Sequence, residues 1–289
     1  MKKPTPPPCR LAELYDSVLN SLRDMDEDHR SSVIRALAGG LDDPEYRPWE
    51  YYFRAEQVPE GLTREAWWCA VRSSRATTAR PTPFTMKDAT PLTFNLPDVL
   101  LSLNEDITAQ ARGQVELPGE VATEAARDRY LINSLYEEAI TSSQMEGAST
   151  SRRDAKKMLR EGRRPQTRSE RMIRNNFLAL EFVRGRLTDK LTPEFVCEVH
   201  RIVTEGTLDD PGDAGRLQRE GEGRVRIYGT ENEEQLLHVP PSASELPERL
   251  ERLCSFVNGE GEYATQYVPP LVRALIVHFM MGYDHYFVD

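Results

Sequence analysis

The chain has 289 residues, of which 39% are hydrophobic and 29% are charged. This length suits one large domain or two of ordinary size, and the composition is typical of a folded, soluble chain and excludes a disordered one. The formal net charge of −10 argues against a protein that binds nucleic acid over its whole surface, because attraction to phosphates requires an excess of Lys and Arg.

The cysteines and the apolar segments indicate a cytoplasmic protein. The four cysteines are scattered and form no C-x-x-C pair; they are Cys9, Cys69, Cys197 and Cys254. A structural zinc site or a disulfide framework is therefore not expected, and reduced thiols suit the cytoplasm. The segment Met1–Pro8 lacks the apolar stretch of a signal peptide. The most apolar run, Leu271–Tyr283, is too short to span a bilayer, so no membrane partner is expected.

Helices dominate the first part of the chain, residues 9–112, which follows a flexible proline-rich tail at residues 1–8. Apolar residues at helical spacing predict one helix from Leu11 and another around Val33, which the glycines at 39–40 stop. The first part is therefore predicted to be a helical N-terminal region.

Two more helices are predicted in this region, with an irregular connector between them. Thr63 has the position of an N-cap for a helix that carries Trp67 and Trp68, and tryptophans at this spacing are typical of a core. The other helix follows Pro97. The stretch Arg80–Pro97 contains four prolines, which predicts an irregular connector.

The second part, residues 113–289, begins after a boundary at Gly113–Gly119. An amphipathic helix around Tyr130–Ile140 leads into residues 141–147. Two helices are predicted beyond it, one at Arg171–Arg184 and one that Thr192 and Pro193 open and Gly206 closes. A hairpin follows, in which Val225–Tyr228 pairs with His238 and Val239. The final helices are predicted at Leu246–Val257 and Leu271–Tyr283. The whole pattern predicts a mostly α fold with one β-hairpin.

Several motifs of the second part resemble those of one family. The last five residues, HYFVD at 285–289, resemble the start of the Fic (Fido-domain) signature H-x-F-x-[D/E]-G-N-G-R-x-x-R. Residues 142–147 fit the family's inhibitory motif, [S/T]-x-x-x-E-[G/N]. Further landmarks follow in the family's order at 198–200 (EVH), 214–216 (AGR) and 238–241 (HVPP). The order and spacing of these motifs over residues 115–289 make the resemblance specific.

The resemblance implies a Fic/Fido-type helical bundle with one β-hairpin flap, preceded by a helical N-terminal region and lacking the C-terminal part of its core. It implies a protein adenylyltransferase, which moves AMP from ATP onto a Tyr, Ser or Thr hydroxyl of a target protein. His285 would be the general base, and Asp289 would hold Mg²⁺. Phe287 would anchor the loop, in which Tyr286 stands where the family usually has proline.

The resemblance also implies an inhibitory element and a docking site for the target protein. An inhibitory helix at about 128–147 would end in Ser142, Glu146 and Gly147, and Glu146 would block the productive place of the γ-phosphate. The flap would pair with an extended target segment by strand addition; its residues are Val225, Arg226, Ile227, Tyr228, His238 and Val239. Considered without the resemblance, His285 is a structural histidine at a helix end, Glu146 is a solvated glutamate and the hairpin is an ordinary surface hairpin.

The glycines and arginines of the signature, which would bind the phosphates, lie beyond Asp289. Backbone N–H groups and arginines of this kind hold phosphate and support transition-state charge. We therefore expect the 289-residue chain by itself to have no useful transfer activity.

Two other functions stay open at this point. One is a non-catalytic, Fic-like interaction or regulatory module. The other is nucleic-acid binding through the basic segment 152–174, which has ten Lys or Arg residues and three acids. No aromatic residue lies in this segment for base stacking, so a solvated helical face paired with acids elsewhere is favoured. The sequence leaves four points open. These are the target protein, a second activity that removes AMP, the donor nucleotide if it is not ATP, and the choice between monomer and homodimer.

Overall fold

The computed structural model describes residues 9–41, 43–111, 124–228, 236–261 and 264–288, with side chains for all of them except 110, 111 and 124–127. These residues form eleven α-helices and two small antiparallel sheets, which confirms the mostly α fold. The chain divides into two compact units, Met1–Gly113 with Tyr228–Gln235, and Gln114–Ile227 with Leu236–Asp289.

Helix α4 is the scaffold of the first unit. The elements described in this unit are α1 Leu11–Ser21, α2 Glu27–Gly39, α3 Trp49–Arg54, α4 Arg64–Thr77, β1 Arg80–Thr85, β2 Pro91–Phe94 and α5 Asp98–Ala111. Helices α1, α2 and α3 all pack against α4. The predicted N-cap is confirmed, since the Thr63 hydroxyl accepts a hydrogen bond from the N–H of Ala66 at 3.1 Å. The core of the unit includes Leu14, Val33 and Trp68.

A buried carboxylate, Asp43, joins separate parts of the first unit. The Tyr52 hydroxyl donates to Asp43 Oδ2 at 2.5 Å, and Arg75 Nη2 lies 3.2 Å from the same oxygen. The backbone N–H groups of Glu45 and Arg47 also donate to this carboxylate. Because its oxygens are well supplied with donors, the charge is tolerated in the core.

The stretch 80–97 contains an antiparallel hairpin, so the prediction of an irregular connector was wrong. Strands β1 and β2 pair with Arg80 opposite Phe94. Along β1, Thr82 and Phe84 are buried and alternate with more exposed residues, which is the period of a half-buried strand. The prolines are tolerated because both strands of a two-stranded sheet are edge strands, where a missing N–H donor costs little.

Helix α8 lies at the centre of the second unit. The helices described there are α6 Glu124–Met145, α7 Arg152–Glu161, α8 Arg168–Arg184, α9 Pro193–Thr204, α10 Leu246–Asn258 and α11 Pro270–Asp284. Helix α8 packs against α6 and α9, α9 packs against α10, and α10 packs against α11. Helix α9 begins as predicted, with the Thr192 hydroxyl accepting from the N–H of Phe195 and with Pro193 in the first turn.

Two short strands form the second sheet, which corresponds to the predicted hairpin. Strands β3 Ile227–Tyr228 and β4 Leu236–His238 pair with each other. The predicted first strand began at Val225, two residues before the observed one. Of the helices in the described ranges, none combines the length and the apolar character that crossing a membrane would require.

The α6–α7–α8 core provides a test of packing in the second unit. Ile173 on α8 is fully buried in a cluster with Ile140, Ala155 and Met158. Ile173→Ala should lower the free energy of unfolding by about 2–5 kcal/mol, because the lost side chain leaves a cavity.

The control for this cavity is Leu187→Ala, since Leu187 is 76% exposed and its loss should change stability by less than about 0.5 kcal/mol. Urea denaturation should be followed by circular dichroism, because Trp49, Trp67 and Trp68 all lie in the first unit and their fluorescence reports on that unit. Equal losses for the two variants would contradict the described core.

Candidate active site at the end of the last helix

His285 caps the C-terminus of α11 in a strained backbone conformation. The helix buries Val272, Ile276 and Met280, and its last residue is Asp284. His285 then adopts the left-handed region, with φ 47° and ψ 72°, while its N–H donates to the carbonyl of Met281. This region costs a non-glycine residue roughly 1–2 kcal/mol, so the surrounding contacts must hold His285 in place.

The side chains on both sides of His285 are hydrogen-bonded to each other. Asp284 and Tyr286 are each 1% exposed. The Tyr286 hydroxyl donates to Asp284 Oδ2 at 2.6 Å, and Arg249 Nε of α10 donates to Asp284 Oδ1 at 2.8 Å. Burial, together with the negative charge of Asp284, raises the pKa of Tyr286 far above its ordinary value, so the phenol keeps its proton and donates. The family resemblance left the rigidity of a loop with Tyr286 open; here its side chain cross-links the turn.

The backbone on both sides of His285 is also held, by the loop 218–224. The N–H of Gln218 donates to the carbonyl of Tyr286 at 2.9 Å. The guanidinium of Arg224 donates to the carbonyl of Asp284 and to the side-chain oxygen of Gln218. The pKa of Arg224 is lowered by burial. The turn is therefore fixed both through side chains and through backbone carbonyls.

The loop 213–224 is itself stabilised by charged hydrogen bonds. Arg216 donates to both carboxylate oxygens of Glu222, at 3.0 and 2.8 Å, and also to Asp213. The N–H of Arg219 donates to Glu222 Oε2 at 2.7 Å. The hydrogen bonds from Arg216 lower the pKa of Glu222. This bidentate arrangement gives the loop a defined geometry opposite the end of α11.

Phe287 stacks on His200 of α9. The two ring centroids are 3.9 Å apart and the ring planes differ by 7°. The N–H of Gly215 donates to His200 Nδ1 at 3.0 Å, so this nitrogen carries no proton. The landmarks at 198–200 and 214–216, which the sequence placed in separate motifs, thus meet at the loop that follows His285.

The second sheet reaches the same end of α11 through His238. Its Nε2 lies 2.8 Å from the carbonyl oxygen of Tyr283, and the two rings are 4.5 Å apart. Among the predicted flap residues, Arg226, Ile227 and Tyr228 are exposed, while Val225, His238 and Val239 are half-buried. Exposed apolar strands beside the end of α11 would suit the docking of an extended segment.

The residues of the predicted inhibitory motif lie at the end of α6. The Ser142 hydroxyl donates to Glu138 Oε1 at 2.9 Å, and the N–H of Glu146 donates to the carbonyl of Ser142 at 3.2 Å. Gly147 adopts φ 94°, which ends the helix. The side chain of Glu146 is exposed, and it makes no hydrogen bond or ion pair with His285 or with any other residue that the structure describes.

The basic segment 152–174 uses many of its charges inside the unit. Glu137 of α6 accepts from Lys156 Nζ at 2.6 Å and from Arg152 Nε at 2.7 Å, and these bonds, that from Lys156 foremost, lower the pKa of Glu137. Arg163 pairs with the buried Glu170. These pairs match the interpretation of the segment as an ion-paired helical face.

The predicted magnesium ligand, Asp289, lies outside the described residues. Within the described ranges, no group of three or more His, Cys, Asp or Glu side chains is arranged to hold a metal ion.

Comparisons with known proteins bear on this arrangement. Residues 190–289 match the model of the Fic/DOC family, a range that includes the end of α11, the loop 213–224 and the second sheet. This part of the chain is similar to the Fic family. Helix α6 and Glu146, which follows it, lie outside the matched range. No curated protein sequence matches the chain.

The chain is similar to solved structures of Fic proteins. A segment of a point variant of Fic-1 from C. elegans is 17% identical, with a TM-score of 0.53, and the match covers 97% of this chain and 79% of that one. A Fic family protein from Desulfovibrio desulfuricans G20 is 20% identical, with a TM-score of 0.49, over 73% of this chain. A Fic domain containing signaling protein from Bacteroides thetaiotaomicron VPI-5482 is 18% identical, with a TM-score of 0.47, over 56% of this chain.

The likeness to Fic-1, which extends over nearly the whole chain, carries the fold assignment, and at such identities it shows the fold alone. The chain spans 55% of the length of the Desulfovibrio protein and 59% of the Bacteroides protein.

Sequence motifs named only part of what surrounds His285. They did not identify Asp284, Arg249, Gln218 or Arg224, which hold the turn. One signal was present in the sequence: Asp284 is an acid at the end of an otherwise apolar helix, and buried acids need partners. The identity of those partners depends on the tertiary structure.

Gly215 provides a test of the packing beside His200. Gly215→Ala should lower the free energy of unfolding, because the left-handed backbone (φ +78°) alone costs an alanine roughly 1–2 kcal/mol. An added Cβ would also lie 2.8 Å from Cβ of Arg201.

Gly282→Ala is the matched control for Gly215→Ala. Gly282 is exposed on α11 and an added Cβ would meet no atom within 4 Å, so alanine should stabilise the helix by about 0.5–1 kcal/mol. Chemical denaturation followed by circular dichroism gives both values. A Gly215→Ala variant as stable as Gly282→Ala would refute the described contact.

Proposed function

We propose that this Fic-domain chain belongs to a protein adenylyltransferase in which His285 is the general base. The Fic family consists generally of transferases that act on proteins, and its members typically transfer AMP or a similar group. The observation that carries the proposal is the restrained position of His285. Its left-handed turn is held by the hydrogen bond between Tyr286 and Asp284, and the loop 218–224 donates hydrogen bonds to the backbone carbonyls of these two residues.

In the proposed reaction, a hydroxyl oxygen of a target Tyr, Ser or Thr attacks the α-phosphorus of ATP. The bond between this phosphorus and the oxygen that bridges to the β-phosphate breaks, and pyrophosphate leaves. The hydroxyl proton passes to His285. Imidazole suits this role because its ordinary pKa lies near neutrality, so the ring can accept a proton at physiological pH. ATP and Mg²⁺ are the proposed cofactors, with Asp289 as the proposed ligand of the metal.

Position matters as much as basicity for a general base. The proton must move within hydrogen-bonding distance of the base, and small misplacements are costly. The hydrogen bonds of Gln218 and Arg224 to the carbonyls of Tyr286 and Asp284 restrict the backbone on both sides of His285. This restriction supports a catalytic role over that of a solvated helix cap.

The second sheet is the proposed docking site for the target protein. Ile227 and Leu236 are 41% and 47% exposed, and short strands with free edges accept an extended segment by strand addition. The hydrogen-bonding distance between His238 and the carbonyl of Tyr283 ties this sheet to the end of α11. A segment added to the sheet would lie next to the helix end that carries His285.

His285→Ala should lower the rate of AMP transfer by roughly 10²–10⁴-fold, which is the usual contribution of a general base. The measurement is incorporation of label from α-³²P-ATP into protein, with the complete product of the gene tested on itself and on added cell extract. Binding of ATP, measured by calorimetry, should stay unchanged, since the base acts on the attacking hydroxyl.

His278→Ala is the matched control, because His278 is exposed on the same helix and should leave transfer unchanged. If the wild-type protein incorporates no label, or if His285→Ala retains full activity, the proposal is wrong. A wild-type protein that binds a partner without labelling it would favour the non-catalytic module.

We also propose that Glu146 inhibits transfer. The side chain of Glu146 is exposed, so it is available to a group that approaches the end of α6. Glu146 lies outside the range that the family model matches. Glu146→Gly should raise incorporation of label several-fold, because the carboxylate would no longer oppose productive binding of the γ-phosphate.

Two variants separate the loss of the carboxylate from a change in the backbone. Glu146→Gln removes the charge and keeps the helix propensity, so it should also activate. Met145→Gly adds flexibility at the neighbouring position, where the side chain is 86% exposed, and should not activate. Equal rates for wild type and Glu146→Gly would rule out autoinhibition, and activation by Met145→Gly would assign the effect to helix fraying.

A further inference from the structure

Two buried charged side chains lie at the turn of His285 without being part of any motif. Asp284 is 1% exposed and Arg249 is 8% exposed. Both carboxylate oxygens of Asp284 are used, one by Arg249 Nε and the other by the Tyr286 hydroxyl. Arg249 Nη1 also lies 3.6 Å from Oε2 of Glu245, the residue that precedes α10.

We propose that Asp284, held by Tyr286 and Arg249, is the residue that positions His285. The inference rests on the proposed function in that the positioned imidazole is the general base. Asp284 acts through the backbone: its bond to Tyr286 bridges the two neighbours of His285, and its bond to Arg249 ties this bridge to α10.

The conformation of His285 explains why such a bridge is needed. A left-handed histidine is disfavoured by roughly 1–2 kcal/mol, so a free helix end would relax to an extended or right-handed backbone. The bond between Asp284 and Tyr286 closes a ring across residues 284–286 and opposes that relaxation. Since the family usually has proline after the histidine, the phenol of Tyr286 supplies here a restraint that proline would supply through its ring.

Because the hydrogen bond between Tyr286 and Asp284 is buried, the carboxylate of Asp284 depends on having all its hydrogen-bond partners. A carboxylate away from water requires partners for both oxygens, and removing one donor leaves an unsatisfied acceptor. The geometry is therefore sensitive to single atoms, and the loss of the Tyr286 hydroxyl should disturb the turn while nearly all of the packing volume is kept.

The first unit contains a matched arrangement that serves as a control. Tyr52 is 1% exposed, its hydroxyl donates to the buried Asp43, and Arg75 lies 3.2 Å from the same carboxylate. Tyr52→Phe and Tyr286→Phe therefore remove the same atom from similar environments. Only the second lies beside His285.

The first test observes the histidine directly in the 289-residue chain. The sequence has five histidines, so ¹³C-labelled histidine gives a small set of ring signals, in which His285→Ala assigns the one of interest. Tyr286→Phe should shift or broaden the His285 signal and leave that of His29 in the first unit unchanged. Tyr52→Phe should leave the His285 signal unchanged.

The second test is kinetic and uses the complete product of the gene with α-³²P-ATP. Tyr286→Phe should lower kcat by roughly ten- to a hundredfold through misplacement of the base, while KM for ATP stays within about twofold. Tyr52→Phe should leave both constants unchanged. Both variants are assayed well below their unfolding temperatures, so that loss of folded protein does not contribute.

The outcomes separate this inference from the proposed function. An unchanged His285 signal in folded Tyr286→Phe overturns the inference. A shifted signal without any effect of His285→Ala on transfer supports the positioning and refutes the role as base. If Tyr286→Phe does not fold, Arg249→Lys replaces it, since lysine keeps the charge and loses the fixed guanidinium geometry; an unchanged His285 signal in that variant likewise overturns the inference.

Discussion

The carboxylate of Asp284 is a charge buried at the end of an apolar helix, and the arrangement around His285 depends on how that charge is balanced. Two donors, Arg249 and Tyr286, reach it from opposite directions. Because a buried carboxylate without them would be strongly unfavourable, α10, α11 and the residues after His285 are constrained together. The left-handed backbone of His285 persists within this constraint.

The contacts of the turn bring together segments that are distant in the chain. Arg224 and Asp284 are 60 positions apart, and His238 and Tyr283 are 45 apart. His200 contributes a stacking surface from α9. Each segment provides a hydrogen bond or a ring contact. Directional bonds of this kind suit a site that must present one side chain in a defined place.

Charge pairing accounts for features that composition left ambiguous. The basic segment 152–174 suggested nucleic-acid binding as an alternative, yet Arg152 and Lys156 neutralise Glu137 on α6. The pairs join α6 to α7, and Glu146 directly follows the last residue of α6, Met145. The same principle appears in the first unit, where Asp43 is balanced by Tyr52 and Arg75. Buried or half-buried acids thus organise both units.

Local patterns in the sequence were sufficient for most helices and for the second sheet, because caps such as Thr63 and Thr192 and the helical period involve residues within a few positions of one another. His285 and Phe287 were proposed as site residues from the family resemblance of residues 285–289. The same rules failed at residues 80–97, where prolines that predict irregular structure occupy edge strands. The partners of Asp284 were beyond sequence reasoning, because one of them, Arg249, lies 35 positions away and no local rule specifies which distant donor reaches a buried acid. The sequence by itself determined the helices and named the histidine; the tertiary structure alone decided what holds that histidine in place, since the bonds that do so form only when α10, α11 and the loop 213–224 pack together.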